Sequence, residues 1–308
     1  MSTQGQDRAA ELALEPMRPA SPASPFWTGA PRDVREIARH RELLGMLVQR
    51  ELKSRYKDSS LGFFWTLARP LALLLIYYIV LGQFLGAARM VPSFGIFIFT
   101  GLTAWMFFNE IVQAGTGSVV NNAGLVKKIY LPREVFPLSV LGSAAVNFAV
   151  MLAILLTATL IQGQFPTGPR WWYLVLSLAV ILVFGIAFAM LLSAVNVYLR
   201  DIQYLVEIVL LIAFWASPIV YPWRMAQPIL AERGLEALYL SNPITLAVLG
   251  FQKALWTAND NPPPDYETML FPDNLGTMLG VALAVGVVFL LLSQRVFARL
   301  QGSFAQEL

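Results

Sequence analysis

Lys127, Lys128, Arg133 and Glu134 crowd one polar stretch, NNAGLVKKIYLPREVFP, set between two long apolar runs. Cations and a carboxylate interspersed with Pro132 and Pro137 suit docking to a protein or a headgroup surface. They supply no nucleophile, base or metal set. A second basic group, Arg50, Lys53, Arg55 and Lys57, precedes the first apolar run. Cations so spaced can hold a diphosphate by charge-assisted hydrogen bonds, or equally can rest on anionic lipid.

Other chemistry is missing. No G-x-x-x-x-G-K-[ST] loop is present, so the chain does not hydrolyse ATP by that route. There is no cysteine and a single histidine, His40, which excludes thiolate sites and a histidine metal cluster. Glu110 and Glu207 are read at the ends of apolar runs. Proton-coupled transport needs ionisable groups nearer mid-membrane, where each costs about 2.5–3.5 kcal/mol. A passive path, or energy from another subunit, is left. Asp260, Asp265, Glu267 and Asp273 lie among prolines without D-x-D spacing. This speaks against a membrane-embedded glycosyltransferase or polymerase.

The elements that must carry these residues span a membrane. Of 308 residues, 57% are hydrophobic and 13% charged, with mean hydropathy +0.60. Soluble domains run near a quarter charged. Six spans are predicted, at 63–86, 94–113, 135–161, 172–198, 204–221 and 275–296. An even count leaves both termini on one side. All but five of the 22 Lys and Arg (Arg89, Arg170, Arg224, Arg233 and Lys253) fall there, which makes that side cytosolic.

Residues 1–32, rich in Pro, Ala and Ser and lacking an apolar h-region, read as a disordered cytosolic tail and not a cleaved signal. Segment 33–57 predicts an amphipathic helix opened by Asp33 and Glu36. Val34, Ile37, Leu44, Leu47, Val48 and Leu52 share one side, which Arg41 interrupts. Such a helix either lies in the membrane interface or packs on protein. Residues 58–300 form the transmembrane domain and 301–308 a cytosolic C-terminus. The domain has a cytosolic loop at 115–134 and an outer loop at 222–274. In the outer loop, 242–256 is too short to span and fits a re-entrant or surface helix, while 261–267 reads as an extended surface loop. Within the cytosolic loop, 122–131 predicts a short helix stopped by Pro132, with Pro137 tolerated in the first turn of the next span. Leu125 and Ile129 share a face at i, i+4.

Three stretches resemble one family in the correct order: RELLGMLVQRELKSRYKDSSLGFFWTLARPL (41–71), SVVNNAGLVKKIYLPREVFPLSVL (118–141), and FWASPIVYP followed by YLSNPITLAVLGFQKAL (214–255). The chain resembles polysaccharide-export permeases of the ABC transporter type-2 superfamily over about residues 35–300. The resemblance implies an all-α, six-span homodimer in the bacterial cytoplasmic membrane, beside two copies of a separate ATPase that carries ATP and Mg. The chain itself would hold no cofactor, do no covalent chemistry and bind no nucleic acid. Its coupling helix would seat in an ATPase cleft through Leu125 and Ile129, with Asn122, Lys127, Lys128, Arg133 and Glu134 orienting it. The cargo would be a glycan on a lipid diphosphate, met at Arg50, Lys53, Arg55 and Lys57 on a gate helix. Short re-entrant helices would close the outer side. Phe64, Trp65, Tyr77, Phe84, Phe108, Phe214, Trp215 and Tyr221 are the candidate rings along the path, against a plain role in packing and interfacial belts. Gln252 stands where the family pattern suggests a basic residue. The Ala/Val/Leu-rich composition points to a galactan-type cell-wall glycan over O-antigen or teichoic acid. A permease for drugs or small lipids is the rival reading.

Overall fold

The computed structural model describes residues 41–56, 64–128, 131–163, 165–256 and 270–308. The tail 1–32, the start of the amphipathic segment, Lys57, Ile129 and the 261–267 loop lie outside the described residues. Among the described residues every regular element is helical. Five helical stretches are long and apolar enough to cross a membrane.

Helix α1 is Arg41–Tyr56. Helix α2, Phe64–Tyr77, carries Pro70 and widens into a π-helical stretch, Tyr78–Phe84. After a short α3, Ala87–Met90, comes α4, Phe94–Asn121. At 1.5 Å per residue α4 is roughly 42 Å long, longer than a hydrocarbon core of about 30 Å. Helix α5 is Ala123–Lys128, α6 is Val135–Ile161 and α7 is Arg170–Tyr198. Pro137 falls in the first turn of α6 as the pattern predicts.

Helix α4 is the buried hub. It packs on α7 so closely that a Cβ placed on Gly115 would stand 2.5 Å from the Cβ of Ala189, the small-residue contact that lets membrane helices approach. Asn196 of α7 donates to the Thr116 carbonyl across the same seam at 3.1 Å. By contrast α2 keeps Leu75 and Ile76 exposed, faces that fit lipid or a partner.

The sequence pattern predicts 204–221 as one span; the structure corrects this. Helix α8, Ile202–Trp215, stops after 14 residues, about 21 Å. Pro218 and Pro222 bar its continuation, and the intervening turn folds inward. Ile219 is 0% exposed, and its carbonyl would lie 3.1 Å from a Cβ on Gly101. Three short helices follow: α9, Trp223–Glu232; α10, Glu236–Leu240; and α11, Pro243–Leu255. Asn242 caps α11 by accepting from the Ile244 amide at 3.0 Å, and Pro243 pre-sets its first turn. Helix α11 is buried nearly all round, as a re-entrant helix must be where backbone lies in hydrocarbon. Gln252 does structural work here, donating to the Pro218 carbonyl at 2.7 Å.

Helix α12, Leu275–Leu300, is the last long element. A 3₁₀ turn, Gln301–Ser303, and α13, Phe304–Glu307, end the chain. Helix α1 packs on α6: a Cβ on Gly142 would stand 2.5 Å from Val48 Cγ2, and Leu47 is buried. Part of the apolar face of α1 thus packs on α6, while Leu44, Val48 and Leu52 stay half-buried and Met46 is exposed.

Candidate functional site: the basic end and its cleft

Lys127, Lys128, Arg133, Arg200 and Arg299 gather where α4, α7 and α12 end and α6 begins, here called the basic end. Asn122 turns the chain there. Its side-chain nitrogen donates to the Ser118 carbonyl at 2.7 Å. Its own carbonyl accepts from the amides of Leu125 and Val126 at 2.9 and 3.1 Å. One residue thus ends α4 and starts α5, with no slack linker between them.

Helix α5 has six residues, too few for a helix to hold itself. Val126, 7% exposed, anchors it in a cluster with Leu47, Val119, Val135, Phe136, Phe297 and Phe304. Leu125 is half-buried against the same cluster. The exposed residues are Gly124, Lys127 and Lys128, which share a face at i, i+3, i+4. Leu125 leans on its own chain, Ile129 lies outside the described residues, and the outward surface is small and cationic.

Arg133 and Glu134 turn inward too. The Arg133 guanidinium lies 5.6 Å from the centre of the Phe304 ring, a cation–π distance. Glu134 is 4% exposed and accepts from Gln301 at 3.0 Å. A buried carboxylate needs such donors. Both residues are held by the C-terminal segment of this same chain.

Of the proposed phosphate-binding residues, Arg50 donates from its guanidinium to the side-chain oxygen of Asn122. Lys53 is exposed one turn on. Arg55 lies in the last turn of α1, and Lys57 falls outside the described residues.

Helices α2, α4, α6 and α8 enclose a cleft of about 890 Å³. Helix α4 lines it with Thr103, Met106, Glu110, Gln113, Gly117 and Asn121, spaced three or four apart on one helical face. Polar partners come from its neighbours. Asn147 donates to Glu110 at 2.8 Å, and Gln113 donates to Glu207 at 3.4 Å. The Asn147 side-chain oxygen is buried without a hydrogen-bond partner among the described residues. The sequence pattern ends the second span at 113 and so puts Glu110 at its rim. The helix continues to Asn121, which leaves Glu110 roughly 16 Å from its end. This polar row escapes a hydropathy reading; its signal in the sequence is the three-four spacing on α4.

The predicted path rings divide. Trp65, Tyr77 and Phe214 line the cleft, together with Trp105 and Phe107 of the aromatic-rich second span and Phe148, a ring that sequence reasoning missed. Phe214 meets Tyr77 stacked at 6.1 Å and Trp105 edge-on at 5.6 Å. Phe108 is corrected to a core residue, buried edge-on against Phe188. Phe64 packs on Trp65 at the exposed start of α2. Phe84 is 79% exposed and Trp215 about half exposed, and neither borders the cleft. Tyr221 donates to the Trp215 carbonyl at 2.9 Å and meets the Tyr239 hydroxyl at 3.1 Å, so it braces the turn after α8.

Comparisons with known proteins agree on one family. Residues 42–256 match the model described as ABC-2 type transporter. The chain is 32% identical over 280 residues to the O-antigen export system permease protein RfbA of Myxococcus xanthus, covering 90% of this chain and 99% of that protein. It is 24% identical over 265 residues to an RfbA of Klebsiella pneumoniae, covering 86% and 94%. Over 180 residues it is 24% identical to the polysialic acid transport protein KpsM of Escherichia coli, covering 57% and 68%.

Proposed function

Because this chain belongs to the ABC-2 type transporter family, we propose that it is the permease of a polysaccharide exporter in the cell membrane. It is a transporter subunit and not an enzyme. Two copies would pair beside two copies of an ATPase, which would bind ATP with Mg and supply the power stroke. Both termini and the basic end would face the cytosol, as the Lys and Arg bias argues. Gly124, Lys127 and Lys128 of α5 would meet the ATPase.

One observation carries the substrate class: the cleft is lined by carboxylates and amides together with aromatic rings. Sugars need both, since hydroxyls hydrogen-bond to Glu110, Asn147 and Gln113 while C–H faces rest on rings such as Trp105 and Phe148. Dispersed contacts of this kind hold a chain loosely enough to let it slide. An apolar drug would use none of these polar groups and would leave the buried side-chain oxygen of Asn147 without a donor, at about 1–3 kcal/mol, which disfavours the drug-export reading. The cargo would travel on a lipid diphosphate, drawn to the exposed basic edge of α1 near Lys53. O-antigen-like and galactan-like polymers both offer the hydroxyls and C–H faces that such a lining would meet.

Depleting the protein and identifying the lipid-linked glycan that accumulates in the cytosol tests the reading. A repeating polymer on a lipid diphosphate is the expected result, and its composition separates galactan from O-antigen. No accumulation overturns it.

A further inference from the structure

The chain's last eight residues hold the segment that follows α5. Phe304 is fully buried. It sits edge-on to Phe297 of α12 at 5.5 Å and to Tyr198 of α7 at 6.2 Å, with the Arg133 guanidinium over its ring. Gln301 donates to Glu134. The Tyr198 hydroxyl donates to the Leu300 carbonyl at 2.9 Å and lies 2.6 Å from the Ser303 hydroxyl. Leu308 packs on the cluster that holds Val126 of α5.

We propose that Gln301–Leu308 is a clasp that makes α5, the segment 131–134 and the ends of α7 and α12 one mechanical unit. Resting on the exporter reading above, the clasp sends ATPase movement into α7 and α12 as well as into α4 and α6, the two helices that flank α5 in the chain. Three features support this. A six-residue helix cannot carry a load by its own stability. The Arg133 and Glu134 charges are spent within the chain. The contacts of Phe304 with Tyr198 and Arg133 each bridge more than a hundred residues of chain. Gln301, Phe304, Arg133 and Glu134 are then positioning residues.

The test uses the full complex with its ATPase, reconstituted in lipid. Phe304→Leu keeps bulk and removes the ring; Gln301→Ala removes the donor; Glu134→Gln keeps an acceptor for Gln301 and serves as the conservative rescue. Expected results for F304L and Q301A are an assembled complex, ATP hydrolysis within about twofold of the parent, and export reduced about tenfold, with E134Q close to the parent. Unchanged export in both tail variants overturns the clasp. So does a joint fall in export and hydrolysis with loss of assembly, which marks a purely structural role.

A second readout needs no cargo. The chain has no cysteine, so spin labels at Ala123→Cys, a partly exposed position outside the face of α5 proposed to meet the ATPase, and at the exposed Ala305→Cys, report the distance from α5 to the tail. That distance stays constant on ATP binding if the unit moves together. A shift of several ångströms overturns the proposal. A parent complex that hydrolyses ATP and moves no glycan overturns the exporter reading alone, and the label distance still judges the clasp.

Discussion

Arg50 of α1 donates a hydrogen bond to the side chain of Asn122, the residue that ends α4 and starts α5. The helix proposed to meet the lipid carrier is thereby tied to the helix proposed to meet the ATPase. A cation assigned to phosphate on spacing alone is engaged inside the protein. A phosphate drawn to this edge would compete with Asn122 for the same guanidinium.

This bond predicts coupling between the two positions. Arg50→Ala and Asn122→Ala each lower export, and the double variant falls no further than the worse single one. A double-mutant cycle on export rate checks it. Additive losses would show that Arg50 acts on lipid independently of Asn122.

The two faces of α5 predict opposite phenotypes. Val126→Asp buries an unpaired carboxylate, a change that costs several kcal/mol, and should abolish folded protein on a size-exclusion trace. Lys127→Glu with Lys128→Glu leaves the fold intact, because both side chains are exposed, and should lower ATPase binding by about tenfold or more in a pull-down.

The polar row of the cleft predicts export defects without assembly defects. Glu110→Ala and Trp105→Ala should each reduce export several-fold while ATP hydrolysis persists. Glu110→Gln keeps an acceptor for Asn147 and should lose less. Export of radiolabelled glycan into vesicles measures the difference.

The α4–α7 seam predicts a stability cost. Gly115→Val must push Ala189 away and overpacks a close contact, at about 1–3 kcal/mol. A lower melting temperature in detergent, with no change for Gly302→Val at an open site, would show it.

Tyr239, in the short helix α10, predicts alkaline sensitivity. Burial, then its bond to Tyr221, pushes its phenol well above the ordinary value of 10.0. The folded protein thus holds this proton more tightly than the unfolded chain does. The stability it contributes is complete below pH 10 and declines as pH rises beyond it. Melting temperatures between pH 8 and 11 should fall less steeply in Tyr239→Phe.

What was legible in the sequence was whatever one segment settles for itself. Apolar runs of 18 or more residues must cross a bilayer because their backbone and side chains have no better solvent, so α2, α4, α6, α7 and α12 were visible. Pro137 was tolerated in the first turn of α6, and Asn242 with Pro243 started another helix, through local geometry alone. The lengths of α4 and α8 were less legible. Hydropathy falls at the polar residues Asn109, Glu110 and Gln113 although the helix continues, and it stays high through Ile219 and Val220 although Pro218 breaks the helix.

The sequence by itself determined the family, the membrane-spanning helical class and the place of the polar loop, because composition, proline and motif order are properties of the chain. Only the tertiary structure decided where each charge is spent. Arg50 goes to Asn122, Glu134 to Gln301 and Arg133 to Phe304. A charge takes whichever partner folding brings within a few ångströms, and these partners lie 72, 167 and 171 positions along the chain, beyond the reach of any local pattern.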